Sequence, residues 1–138
     1  MNTAVNEISK YLKNLTATNP ICTALSTTFT EAGNLFQYGE PMEATQMISI
    51  IPYFGASPRS KDKYETSIQI RVKAKSKKRA GDTGQAIIEV FDRNKNICAS
   101  ANGIVLANNS NPMFLPPQEG GEWEISVCNF TVRHAKFN

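Results

Sequence analysis

The first apolar stripe along the chain has the spacing of a helix. Apolar side chains recur at Val5, Ile8, Leu12 and Leu15, and mostly polar residues fill the positions between them. Because residues three and four apart share one helical face, this spacing predicts an amphipathic helix from about Thr3 to Leu15. The Thr-, Ser- and Asn-rich residues 16–30 are predicted to be loop, with a short element near residues 21–25.

The clearest strand pattern runs from Tyr64 to Lys75. Even-numbered positions are mainly apolar there, and odd-numbered positions are polar or charged. This period of two predicts an antiparallel strand with one buried and one polar face. Two earlier strands are predicted at residues 33–41 and 46–52. The second is almost continuously apolar and should end at Pro52, with a loop over residues 53–63.

A second helix is predicted directly after the alternating strand, from about Ser76 to Asn94, with Ser76 as its N-cap. Its apolar stripe consists of Ala80, Gly84, Ile87 and Phe91. A short strand at 103–106, an Asn-, Pro- and Gly-rich loop at 107–121 and a last strand at 122–133 follow. Within the last strand the apolar residues change from odd to even positions after Val127, which predicts a β-bulge.

This order of elements predicts an α+β fold. Runs of strands with helices segregated to one side favour a mixed, mostly antiparallel sheet with the N-terminal helix and the central helix packed on one side. The 138 residues fit a single domain, 1–138, that is large enough for one hydrophobic core.

Composition adds few constraints. The net charge of +3 is too small to indicate nucleic-acid binding by itself. Cys22, Cys98 and Cys128 form no CxxC pair, so no zinc framework is predicted, and they are expected to be buried free thiols of a reducing cytoplasm. No signal peptide and no apolar run of roughly 18 residues is present, so the protein should remain in the cytoplasm or join an assembly built there.

The sequence offers little for catalysis. The single histidine, His134, lies four residues from the end of the chain, and we expect it to be exposed or at a strand end rather than catalytic. No HExxH spacing, paired acidic motif or phosphate-binding glycine loop occurs. We therefore predict a protein that is not an enzyme and that has no cofactor and no metal site.

A basic group is the first candidate interaction surface. Arg71, Lys73 and Lys75 lie two residues apart, so their side chains are predicted to project from one strand face, with Lys77, Lys78 and Arg79 close by. Such a face fits an acidic partner or phosphate, and an ordinary solvated strand face has the same pattern. No aromatic residue alternates with these cations, which argues against a stacking platform for single strands.

Two apolar groups are the other candidates. Met113, Phe114 and Leu115 are flanked by prolines, and Tyr53 and Phe54 follow a strand predicted to be buried. Apolar residues in extended Pro-rich loops often dock on a partner. A loop that folds over its own core would show the same residues, so both interpretations stand.

The order of these pieces resembles the tail terminator and minor capsid proteins of long-tailed bacteriophages. The similar region covers about Ile48–Arg133. It contains ISIIPYFG, the strand YETSIQIRVKAKS, the helix KKRAGDTGQAIIEVFD, the loop NPMFLPP, the turn QEGGEW and the last strand EISVCNFTVR. The order and spacing of the strand, the helix and the final NFxV are the most specific features.

The resemblance implies a structural role in the virion. Such proteins form a hexameric ring on the head-proximal end of the tail tube, which stops polymerisation and provides the docking surface for the head-completion protein of the neck. DNA passes through the lumen without sequence-specific binding, and no membrane is involved. Another neck or minor capsid protein remains an alternative, as does a basic nucleic-acid-binding module.

Overall fold

The computed structural model of the protein describes residues 3–38, 46–60, 63–116 and 123–135, without the side chains of Thr3 and of residues 53–60. Along these residues the helices are α1 (Thr3–Lys13), α2 (Pro20–Leu25) and α3 (Lys77–Phe91), with a 3-10 turn at Ala99–Ala101. The strands are β1 (Leu35–Gln37), β2 (Met47–Ser60), β3 (Lys63–Ala74), β4 (Ile104–Ala107), β5 (Met113–Phe114) and β6 (Glu124–His134). The predicted α+β class with a mixed, mostly antiparallel sheet is confirmed.

The six strands form one sheet in the order β1-β2-β3-β6-β4. The strand β1 pairs with β2 in parallel, and the other pairs are antiparallel. The strand β5 lies along the first half of β6, and β4 lies along the second half, so the two short strands share one edge of β6. The long strands β3 and β6 are therefore central, as their apolar content requires.

The even-numbered face of β3 carries the core, as its alternation predicts. Ile68, Ile70 and Val72 are fully buried and belong to the same hydrophobic cluster as Ile87 and Phe91 of α3. The apolar stripe of α1 and the buried residues of α2 join this cluster too. The helices therefore pack on one side of the sheet, as predicted.

Caps fix where two of the helices begin. The side chain of Asn19 accepts a hydrogen bond from the backbone N–H of Ile21 at 3.0 Å, and Pro20 occupies the first position of α2, where its missing N–H costs nothing. Ser76 caps α3 as predicted, with its Oγ accepting from the N–H of Arg79 at 3.1 Å. Because these caps satisfy backbone N–H groups, both helices begin at the residue that follows.

The prediction that Pro52 ends the second strand is wrong, since β2 continues to Ser60 and the expected loop at residues 53–63 is largely strand. Ile48 donates its N–H to Asn34 and Ile50 accepts from Tyr38, so even-numbered backbone groups of β2 point toward β1. The nitrogen of Pro52 therefore also points away from β3, beyond the last residue that pairs with β1. Proline is tolerated there because no strand of the described residues needs an N–H from it.

Two other predicted segments differ in extent. The strand β1 spans only Leu35–Gln37 of the expected residues 33–41, and residues 39–41 lie outside the described part of the chain. The expected loop at 107–121 contains β5. A two-residue strand is too short to show a period, which is why the sequence did not reveal it.

The predicted bulge in the last strand is also wrong. The register of β6 against β3 runs without a shift from Glu124 to His134. The apolar phase changes because Ser126 and Cys128 occupy the helix-facing positions where α3 comes closest. The Ser126 hydroxyl donates to the carbonyl of Ala80 at 2.7 Å, and a Cβ on Gly84 would lie 2.9 Å from that hydroxyl. Only small side chains fit at this approach, so the large apolar residues that would continue the pattern are excluded there.

Candidate interaction surfaces

The sheet face opposite the helices carries the predicted basic strand residues. We call this the open face; across β2, β3 and β6 it presents Met47, Ser49, Gln69, Arg71, Lys73, Ile125, Val127 and Asn129. Met47, Ile125 and Val127 are buried but lie outside the cluster that the helices share. The open face therefore combines buried apolar side chains with half-buried cations.

Arg71 and Lys73 project from the open face together, and both are half-buried. The register places Lys73 between Met47 and Ile125, and Arg71 between Ser49 and Val127. The Arg71 Nε donates to Gln69 Oε1 at 2.6 Å, and Gln69 Nε2 donates to Asn129 Oδ1 at 3.2 Å. The Arg71 guanidinium is thus held by a hydrogen-bonded row of amide side chains, and Lys73 is flanked by two buried apolar residues.

Lys75 lies just beyond the end of the strand that carries the other two basic residues. It follows Ala74, the last residue of β3, and its ammonium lies 5.8 Å from the ring centroid of Trp123. Together with the first turn of α3 it forms the basic corner, which consists of Lys75, Lys77, Lys78 and Arg79, all exposed. Within this corner Lys78 pairs with Asp82 at 2.7 Å.

The apolar trio, Met113, Phe114 and Leu115, packs on the protein itself and also remains partly exposed. Its backbone belongs to the protein's own sheet, because Met113 and Phe114 pair with β6 and Leu115 donates its N–H to Ile125 at 3.1 Å. The Phe114 ring lies over α3, where a Cβ on Gly81 would approach it to 3.0 Å, and the Lys77 ammonium is 5.0 Å from its centroid. Yet Met113 is 49% and Phe114 38% exposed, so their outer surfaces are available to a partner.

Tyr53 and Phe54 lie within β2 and not in the loop where the sequence placed them. Their side chains lie outside the described part of the structure, so their role stays a prediction. Sequence reasoning missed Tyr38, which follows β1 with a positive φ of 68° and is 50% exposed. The turn residues around it, Gln37-Tyr38-Gly39, were the signal that could have indicated an exposed ring.

A second surface that the sequence did not reveal is a groove of about 450 Å³ at the C-terminal end of α3. We call it the acidic groove; it is lined by Gln85, Ile88, Glu89, Asp92, Ala107, Asn108, Asn109 and Ser110. Its walls are tied together by hydrogen bonds from the Ala107 N–H to Asp92 Oδ1 at 2.9 Å and from Gln85 Nε2 to the Ser110 carbonyl at 3.3 Å. Its charged lining residues are both carboxylates.

The single histidine and the three cysteines are buried. His134 ends β6 as predicted, but it is buried rather than exposed, with Nε2 2.8 Å from Thr66 Oγ1 and Nδ1 2.6 Å from the Ala135 carbonyl. Burial raises the pKa of Cys98 and of Cys128 to about 12 and also raises the pKa of Cys22. Among the described residues no three His, Cys, Asp or Glu side chains are grouped so that they could hold a metal ion.

Comparison with known proteins leaves the surfaces as the main guide to function. No protein-family model matches the chain, and no curated protein matches it. Within the described residues, none of the helices combines the length and apolar character needed to cross a membrane.

Proposed function

We propose that the chain is a non-enzymatic structural subunit of a bacteriophage virion that forms a hexameric ring at the head-proximal end of the tail tube. The ring ends tube polymerisation and presents the docking surface for the head-completion protein of the neck. The DNA passes through its lumen. The protein is assembled in the cytoplasm of the host bacterium and acts at the junction of tail and neck.

The open face is the observation that carries this proposal. A two-layer domain normally buries the apolar side of each layer. Here the helices share a cluster on one face of the sheet, while Met47, Ile125 and Val127 lie on the other face beside Arg71 and Lys73. The apolar side chains are covered within the chain, and the half-buried cations beside them remain to contact an acidic surface of another protein subunit.

The fold supports the proposal in a second way. The α+β class, the central alternating strand and the capped helix that follows it are the elements on which the resemblance to tail terminators rests. A protein that caps a tube requires a rigid sheet and adhesive surfaces rather than an active site. The same features fit another neck or minor capsid protein, which differs in the neighbours that it binds.

Removal of the protein from the phage tests the proposal directly. Without a terminating ring, tube subunits continue to add, so electron microscopy of the deficient phage should show overlong tails that lack heads. Tails of normal length that still join heads would contradict the proposal. Defective head joining with tails of normal length would favour the alternative of a different neck protein.

The triple substitution Arg71→Ser/Lys73→Ser/Lys75→Ser should leave the monomer folded and weaken its binding to tail tubes. Six copies of these residues would place many positive charges around one ring, and an acidic surface must face them to limit their repulsion. Binding should weaken further at high salt, which screens the remaining attraction. Co-sedimentation with purified tubes across a salt series measures this effect.

The matched control removes the same charge outside the open face and the basic corner, with Lys10→Ser/Lys13→Ser/Lys95→Ser, three exposed residues. This variant should bind tubes like the wild type, and thermal unfolding of both variants checks the fold. Equal co-sedimentation of the two triple variants at every salt concentration would show that Arg71, Lys73 and Lys75 form only a solvated surface. Salt-dependent binding of the wild-type monomer to duplex DNA would instead favour a nucleic-acid-binding module.

A further inference from the structure

The charges at the two ends of α3 oppose the helix dipole. The first turn of the helix contains Lys77, Lys78 and Arg79 and no acidic residue, although the N-terminal end of a helix is its positive end. The last turn contains no basic residue, and Glu89 and Asp92 lie at this negative end. Cations at the N-terminal end and carboxylates at the C-terminal end are both unfavourable in an isolated helix. We therefore expect groups of opposite charge to face both ends of α3.

Among the described residues, an ion pair neutralises only one of these charges. Lys78 pairs with Asp82, one turn further along α3, and Lys77 lies over the Phe114 ring. From Lys77 to Glu89 the helix rises about 18 Å, at about 1.5 Å per residue, which is beyond the reach of an ion pair within one chain. Arg93 and Lys95 follow the helix, but neither lines the acidic groove.

We infer that the acidic groove of one chain receives the basic corner of a second copy of the same chain. The groove offers two carboxylates and the amide and hydroxyl groups of its walls, and Lys and Arg side chains are the groups that these oxygens bind best. The basic corner is exposed and carries four cations. Because each copy carries both halves, every chain can donate to one neighbour and accept from another.

Such a contact is heterologous, and it forms either a closed ring or an open filament. The inference deepens and rests on the proposed function, because it assigns the contact between subunits of the proposed ring to the two ends of α3. The open face then remains available to the tail tube. In the assembled state each end of α3 faces the opposite charge, which removes the conflict with the dipole.

A charge exchange tests this contact. Two variants each place like charges at the contact: the corner variant Lys77→Glu/Arg79→Glu and the groove variant Glu89→Lys/Asp92→Asn. Asparagine at position 92 retains an oxygen that can accept from the Ala107 N–H. Each variant alone should lose at least about tenfold in ring yield on tubes, since like charges across an interface are strongly unfavourable. An equimolar mixture should restore rings, because the reversed corner of one variant fits the reversed groove of the other.

Both variants also improve the match of charge to dipole, so each monomer should melt at the wild-type temperature or above it. This separates loss of association from loss of folding. Zero-length coupling of carboxylates to amines in a mixture of ¹⁴N- and ¹⁵N-labelled wild-type chains should join Lys77 or Lys78 of one chain to Glu89 of another. The mass of the coupled peptides identifies links between chains.

The outcomes distinguish this contact from the proposed function. If the wild type caps tubes and both variants cap them equally well, the contact is wrong and the proposed function stands. The same conclusion holds if the wild type caps tubes, the variants do not, and the mixture restores nothing. If the wild type forms rings that the variants lose and the mixture restores, but these rings do not bind tubes, the contact stands and the proposed function is wrong. A wild-type chain that forms no ring, alone or on tubes, overturns both.

Discussion

Phe91→Ala should lower the free energy of unfolding by about 3–5 kcal/mol, the range found when a large aromatic side chain is removed from a packed core. Phe91 is fully buried at the last position of α3. Its ring meets the edge of Tyr11 from α1 at a centroid distance of 5.8 Å and lies 5.4 Å from Phe130 of β6. The substitution therefore leaves a cavity where both long helices and a central strand meet.

The same chemical change at Phe114 is the matched control. Phe114 is 38% exposed and its ring lies on one helix surface, so Phe114→Ala should cost less than about 1 kcal/mol. Urea titration of the two variants and the wild type gives both free energies. A loss at Phe91 as small as the loss at Phe114 would mean that the site collapses around the missing ring and that the aromatic contacts add little.

Cys98 and Cys128 should react with iodoacetamide roughly 1,000-fold more slowly in the folded protein than an exposed thiol does at pH 8. The thiolate is the reactive form, and a pKa raised from 9.0 to about 12 lowers its fraction by that factor. Burial is the main cause at both residues, and the negative charge of Glu7 adds to it at Cys98. Mass spectrometry of timed samples measures the two rates separately.

Ser100→Cys supplies the exposed reference thiol, two residues from Cys98 in the 3-10 turn. Addition of urea should remove the protection of both native thiols. If Cys98 or Cys128 is labelled as fast as the reference in the folded protein, the local structure opens readily and the burial of that residue does not govern its chemistry.

The same shifts predict how stability depends on pH. Both the folded and the unfolded thiols are protonated below pH 9, so their contribution to stability is complete there. Between about pH 9 and 12 the unfolded thiols lose protons while the folded thiols retain them, so the unfolded state is favoured increasingly. The free energy of unfolding should therefore fall across this range.

Local patterns in the sequence determined the helices and the central strand. The stripe of Val5, Ile8 and Leu12, the strict alternation of β3 and the Ser76 cap each depend on a few neighbouring residues, and helical and strand periods differ enough to be told apart. Because the class of fold follows from the order of such elements, the α+β sheet with helices on one side could be predicted.

Tertiary contacts decided the rest. Whether Pro52 ends a strand depends on which neighbouring strand its nitrogen faces. The change of apolar phase in β6 depends on how closely α3 approaches β6 at Gly84 and Ser126. The acidic groove joins Glu89 and Asp92 to the residues that follow β4, which are distant along the chain. The sequence placed charge at both ends of α3, but only the packing of the loop after β4 against the helix makes one end a groove.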